Sequence, residues 1–277
     1  MGEILDALLT PLGQGFVRRA LGAGLALGAA GALLGVFIVQ RGLGLLSDGL
    51  AHATFGGLAL GLLLGATVDR AMWVALPFTV AIALGIQYVR RRTTLGGDVA
   101  TGVFFAVSFA AGILFLGLRS ARSAPVNVEG LLFGSLLAVS PESLEVIVGV
   151  AVLVIAVLAW IGPRLAYATF DPELAALSGV PVAALEYLLL ALTALVVVVG
   201  VKTVGVVLVS AFVVIPAATA SLLGRTLGTI ALLAVGLSLA GTAFGLFASY
   251  HLNVATGATI ILTLGATFFL ALVLRRR

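Results

Sequence analysis

The sequence predicts an all-α protein, a polytopic transmembrane helix bundle of about nine spans. Two observations carry that prediction. Of 277 residues only 9% are charged, 15 basic and 11 acidic, while 62% are hydrophobic, and the mean hydropathy is +1.28. A soluble domain carries roughly 25% charged residues and could not cover its surface with so few. The second observation is that the apolar residues fall in runs near the ~20 needed to cross the hydrocarbon as helix. A water-soluble enzyme, a disordered chain and a nucleic-acid binder are excluded together. The net charge of +4 sits on arginines at segment ends, which is a membrane-surface pattern. With no cysteine there is no disulfide framework, thiolate metal site or thiol catalysis.

Residues 1–277 are expected to form a single transmembrane domain. Residues 1–19 read as an N-terminal amphipathic segment and not as a secretory signal, because Glu3 and Asp6 precede it and no short apolar core with a small-residue cleavage site follows. The predicted spans are Leu21–Val39, Leu43–Gly65, Met72–Val89, Val99–Leu118, Ser143–Ile161, Leu185–Val201, Thr203–Leu223, Leu227–Ser249 and Val254–Leu274. Gly130–Ser140 is too brief to span alone; it and the N-terminal segment leave eight or ten spans as alternatives. Glycines at four-residue spacing (Gly24/Gly28, Gly31/Gly35, Gly57/Gly61/Gly65, Gly241/Gly245) predict close helix contact in lipid.

Arginine and lysine set the orientation. With a cytoplasmic C-terminus the inner loops hold Arg41, Arg90, Arg91, Arg92, Arg164, Arg225 and Arg275 to Arg277, and both triple-arginine runs fall inside. The outer set is Arg18, Arg19, Arg70, Arg119, Arg122 and Lys202. The outer loop Arg119–Glu129 carries Pro125 and Asn127. The longest inner loop, residues 163–184, contains a helix start at Asp171-Pro172-Glu173, with Asp as N-cap and Pro at the first helical position. Leu174 to Leu177 continue it, and Gly179 and Pro181 stop it. Such a helix either rests on lipid or docks a soluble partner.

An ionisable residue inside a span is expensive and marks a candidate site. The clearest is Asp48 with His52, whose i, i+4 spacing sets carboxylate and imidazole on one helical face. Oxygen and nitrogen donors at that separation suit a divalent first-row metal such as zinc or manganese. Mutual ion pairing and a proton relay are the other readings. Gly56, one turn on, leaves room for an ion or a neighbouring helix. His251 beside Tyr250 reads as a surface residue at an outer helix end, Lys202 as a snorkelling turn residue, and Pro216 as a kink within a span. No Walker-type phosphate loop, GxSxG elbow or HExxH is present. The chain is therefore expected not to be an enzyme.

From Phe16 to Leu274 the residues resemble the membrane permeases of bacterial zinc/manganese ABC importers. Gly35-Val36-Phe37-Ile38-Val39-Gln40-Arg41, leading into Leu46-Ser47-Asp48-Gly49-Leu50-Ala51-His52-Ala53, is similar to the family's first helix hairpin with its Asp-xxx-His. Leu132 to Ser140 resembles its Phe-Gly-x-x-Leu-Ala-Val-Ser block. Gly200 to Leu223 resembles its Ile-Pro-Ala-Ala block, and Thr256 to Ile260 its C-terminal Gly-Ala-x-Ile signature. Asn253 and Ala255 depart from acidic and proline positions in that pattern, and Ser47 from a common glycine.

The resemblance implies a fold like the vitamin B12 type (type II) of ABC importer permease, in a bacterial plasma membrane. It implies a pathway formed by two permease chains, a homodimer, with a cytosolic ATP-binding subunit and an external metal-binding solute protein as partners. No cofactor would be held permanently; the metal, zinc or manganese, is cargo. Asp48 and His52 would line its path. Glu173, Leu174, Ala175, Leu177 and Gly179 would belong to a coupling helix seated in the ATPase. A secondary transporter that couples metal or solute to protons through the same pair, and a siderophore or vitamin permease of the same fold, are the alternatives.

Overall fold

The computed structural model describes residues 13–120 and 136–275. Among these residues ten α-helices follow one another: α1 (Gly15–Gln40), α2 (Leu46–Leu63), α3 (Val68–Arg92), α4 (Gly97–Ser120), α5 (Pro141–Phe170), the short α6 (Pro172–Leu177), α7 (Val182–Val204), α8 (Val206–Leu223), α9 (Leu227–Leu252) and α10 (Thr256–Arg275), with a 3₁₀ turn at Leu136–Ala138 before α5. Eight of these helices are long and apolar enough to cross a membrane. The ninth spanning candidate is α2, whose Asp48 and His52 dilute its hydropathy. Its 18 residues reach about 27 Å at 1.5 Å per residue, close to the hydrocarbon thickness. The all-α, multi-pass architecture expected from composition is the one observed.

One apolar core draws on every spanning helix and on Ala175 of α6. At its centre α1 packs against α5, α8 and α9 and α2 against α3 and α4, while α7 reaches α3 and α5; α4 and α10 lie toward the outside. Small residues make this tightness possible, since helices in lipid gain association energy from close backbone contact. A Cβ on Gly57 would stand 2.7 Å from Ala75 Cα, one on Gly61 2.9 Å from Ala71 Cα, and one on Gly245 2.6 Å from Ile260 Cα. Gly35 is pressed against the backbone carbonyl of Val213. Gly65 differs from its predicted role: with φ +88° it turns the chain after α2 and approaches no other helix.

Several boundaries differ from those read in the sequence. The inner loop expected at 163–184 is shorter, because α5 runs through Pro163 to Phe170. Proline removes one backbone hydrogen bond, a loss that a long helix packed among neighbours absorbs. The amphipathic segment expected at 1–19 likewise gives way to helix at its end, since Gly15 to Arg19 form the first turn of α1; residues 1–12 lie outside the described residues. Lys202 stands in the last turn of α7 instead of in a loop. The single residue Gly205, with φ +90°, makes the turn into α8. Pro216 is inside α8 as predicted. Arg122, Pro125, Asn127 and most of Gly130–Ser140 lie outside the described residues.

The two ends of the bundle carry the expected charges. Arg41 and Arg90 to Arg92 gather at one end with α6, and a hydrogen bond from Gln40 to Ser221 (3.3 Å) brings the end of α8 to the same level. At the other end Arg19 Nε donates to the Val139 carbonyl at 2.9 Å, and Gln14 donates to the Tyr250 hydroxyl at 2.9 Å. His251 is exposed there, edge-on to Tyr250. Asn253, one of the departures from the family pattern, ends α9 with φ +52° and ψ +43°. Asparagine tolerates that left-handed geometry better than most residues.

Candidate functional site

Asp48 and His52 lie in the first two turns of α2, on the face between α4 and α8. The imidazole Nδ1 sits 3.7 Å from Asp48 Oδ1 and donates instead to the Asp48 backbone carbonyl at 2.9 Å. A carbonyl can only accept, so the proton of a neutral ring is on Nδ1 and the lone pair is on Nε2. That leaves Nε2 as a nitrogen donor for a ligand. Two phenyl rings from α4 fix the imidazole edgewise, Phe105 at 4.7 Å and Phe109 at 5.6 Å between centroids. The pair is therefore not a closed ion pair; each partner keeps a free donor atom.

The carboxylate has one further protein contact. Ser210 Oγ, one turn into α8, donates to Asp48 Oδ1 at 3.3 Å and also lies 3.1 Å from the Val206 carbonyl. Half of the Asp48 side chain (49%) and a quarter of His52 (23%) are exposed, although both belong to a membrane-spanning helix. At the same end of α8, in its first turn, Val207 and Leu208 line a cavity of about 530 Å³, together with Leu136, Thr256 and Gly257. Its walls are mainly aliphatic. The polar group nearest along the helix is Ser210, less than one turn away.

The predicted use of Gly56 resolves in favour of a helix. Its Cα faces the Ser108 carbonyl of α4, where a Cβ would stand 2.5 Å away, so no ion fits there. Among the described residues no group of three or more His, Cys, Asp or Glu gathers to hold a metal. A single chain thus offers one carboxylate, one imidazole nitrogen and a neighbouring hydroxyl. Ser47 is fully buried and its Oγ has no hydrogen-bond partner; nothing in the structure explains the preference for serine there.

The predicted docking segment forms α6 as read. The Asp171 side chain caps it, accepting from Leu174 N at 2.9 Å, and Gly179 leaves it with φ +80°. Glu173, Leu174, Leu177 and Gly179 are exposed, Leu177 at 85%. Ala175 is fully buried and faces the bundle, so within α6 it anchors the helix while its neighbours stay exposed.

A cluster that sequence reasoning missed lies beside α6. Glu186, in the second turn of α7, bonds Arg41 Nη1 through Oε1 and Arg91 Nη1 through Oε2, each at 3.1 Å. Gln87, almost wholly buried, donates to Glu186 Oε2 at 2.6 Å and accepts from Arg90 at 2.8 Å. Arg41 Nε donates to Thr169 Oγ1 at 3.0 Å. Burial lowers the Arg41 pKa from its ordinary value, while Glu186 raises it and Arg90 lowers it further. Folding brings together groups from α1, α3, α5 and α7 here, and spacing alone could not reveal it.

Known proteins match the chain over nearly its whole length. The model of the ABC 3 transport family covers residues 14–275. The manganese transport system membrane protein MntC of Listeria innocua is 33% identical over 93% of this chain and 90% of its own length. The manganese import system permease protein ScaB of Streptococcus parasanguinis is 34% identical over 92% of this chain and 89% of its own. Among solved structures, PsaBC from Streptococcus pneumoniae in complex with Fab superposes with a TM-score of 0.81 at 30% identity, covering 98% of this chain and 94% of that one.

Proposed function

The chain belongs to the ABC 3 transport family, and from that premise we propose that it is the permease through which a divalent metal ion, manganese first, is imported. The observation that carries the reading is the carboxylate and imidazole of Asp48 and His52, held half-open inside a membrane helix. Charged groups at that depth face a bundle interior or a water-filled path. An oxygen-rich shell of carboxylate, hydroxyl and water around one imidazole suits the harder manganese ion better than a thiolate-free zinc cage would. The relatives' names point the same way.

A second copy of the chain would face the open side of α2 and complete the shell, so that two Asp48 and two His52 border one pathway. The α6 helix, with Leu174 and Leu177 outward, would seat in a cytosolic ATP-binding subunit. That subunit would hydrolyse ATP, since this chain carries no motif for it. A solute-binding protein would deliver the ion at the opposite end. The ion itself is cargo, and loose ligation by two residues per chain lets it leave again.

The test is metal uptake by the complex in liposomes. Manganese should enter only with ATP, and Asp48→Ala or His52→Ala should reduce uptake at least tenfold with assembly intact. Unaltered uptake by both variants would remove the pair from the path. ATP-independent uptake driven by a pH gradient would favour a secondary transporter.

A further inference from the structure

The docking helix α6 is short, yet the residues on both sides of it in sequence grip the same side chain. Thr169, two residues before the Asp171 cap, accepts from Arg41 Nε at 3.0 Å, and Glu186, in the second turn of α7, bonds Arg41 Nη1 at 3.1 Å. Arg41 is the residue that ends α1 and begins the connection to α2. We propose that Thr169, Glu186 and Arg41 form a clamp that sets the position of the α1–α2 connection, and with it Asp48 and His52, according to where α6 sits. They are positioning residues for transport, and this rests on the metal-permease reading above.

Each link in the path is a packed or bonded one. At its start, α6 moves with its neighbours as a unit: Ala175 is buried against them, and Tyr167 Oη and Ser178 Oγ are 3.1 Å apart across the α5–α6 junction. The Arg41 side chain is 6% exposed, so it cannot swing into water when its partners shift. One nitrogen, Nη2, has no hydrogen-bond partner, which leaves the guanidinium dependent on Thr169 and Glu186. Downstream, Leu43 and Leu46 are fully buried, and Leu45 N donates to Asp98 Oδ1 of α4 at 3.3 Å. The connection therefore transmits displacement rather than absorbing it. Asp48 stands in the very next turn.

The second arm, from Glu186 to Arg91 and Gln87, ties the end of α3 to the same carboxylate. One acidic group thus holds the ends of α1 and α3 against the start of α7. A displacement of α6 that rotates α7 reaches the end of α1, which leads into α2, and the end of α3, which packs against α2. An ordinary structural salt bridge would tie two elements; this one joins the helices on either side of the docking helix, α5 and α7, to the ends of α1 and α3.

The decisive experiment measures coupling and not only transport. In the reconstituted complex, Glu186→Gln keeps the side-chain shape but removes the charge. Manganese taken up per ATP hydrolysed should fall at least tenfold, with hydrolysis within about twofold of the parent, and Glu186→Asp should recover part of the ratio. An unchanged ratio, whether uptake and hydrolysis stay at the parent level or fall together, would reduce the cluster to a structural role and overturn the proposal.

Because the chain has no cysteine, a fluorophore at Leu45→Cys reports the α1–α2 connection directly. Its signal should change when nucleotide binds the partner ATPase and should stop changing in Glu186→Gln. Persistence of that change would overturn the clamp. If Glu186→Gln fails to assemble, Arg41→Lys takes its place, since it retains charge but loses the Thr169 contact; it must also lower the uptake ratio and blunt the signal. Should the parent complex import no metal, the permease reading fails, while the Leu45 probe still decides whether α6 moves the connection.

Discussion

Asp48 in hydrocarbon is costly unless something at its own depth uses the charge, and its nearest protein partner, Ser210, supplies only one hydrogen bond at 3.3 Å. That length is at the weak end for a hydrogen bond to a charged group, which contributes on the order of 1 kcal/mol. Ser210→Ala should therefore weaken manganese handling several-fold, seen as a raised half-saturating concentration for uptake, and stay well short of the loss in Asp48→Asn. An effect as large as that of Asp48→Asn would make the serine a primary ligand. His52 has a different role: its Nδ1 is committed to the Asp48 carbonyl, so Nε2 is its useful atom. The pair could be read from sequence because two ionisable residues stand out in an apolar run. Ser210 could not be, because a serine in a helix is satisfied by its own backbone, here the Val206 carbonyl.

At the scale of helices, packing is governed by where a Cβ fits. Gly57 faces the backbone of α3, where a Cβ would stand 2.7 Å from Ala75 Cα, whereas Gly102, on the exposed side of α4, has nothing within 4 Å. Gly57→Ala should destabilise the protein by about 1–3 kcal/mol through overpacking. Gly102→Ala should be neutral or stabilise by roughly 0.5–1 kcal/mol, because alanine loses less backbone freedom in a helix. Thermal unfolding of the two variants in detergent checks this, and equal shifts would remove the distinction. The glycine spacing in the sequence anticipated the contact at Gly57 and Gly61 but not its direction. Gly56, with room for an ion or a neighbouring helix by spacing, meets α4; Gly65, expected to pack, makes a turn. Spacing reports that a face is small, and tertiary placement decides what fills it. The loop expected at 163–184 loses its first residues to α5 for the related reason that a lipid-embedded helix tolerates the bond missing at Pro163.

For the whole molecule, the arginine pattern and the connectivity must agree on one orientation. Among the described residues, Arg41, Arg90 to Arg92 and α6 lie at one end of the bundle, and Arg19, Tyr250 and Asn253 at the other. Glu186 escaped notice in the sequence because an acidic residue just after a loop is ordinary, and its partners Arg41 and Arg91 lie 145 and 95 residues away. Once folded, that half-buried carboxylate neutralises part of a dense arginine end, the face that the positive-inside bias assigns to the cytoplasm. The absence of cysteine makes the assignment testable with single substitutions at exposed sites, Leu177→Cys in α6 and Val254→Cys before α10, which are 85% and 50% exposed. A membrane-impermeant thiol reagent should modify Val254→Cys in intact cells and Leu177→Cys only in inside-out vesicles. The reverse pattern would put α6 outside, away from any ATPase, and would remove the energy source from the import mechanism along with the direction of transport.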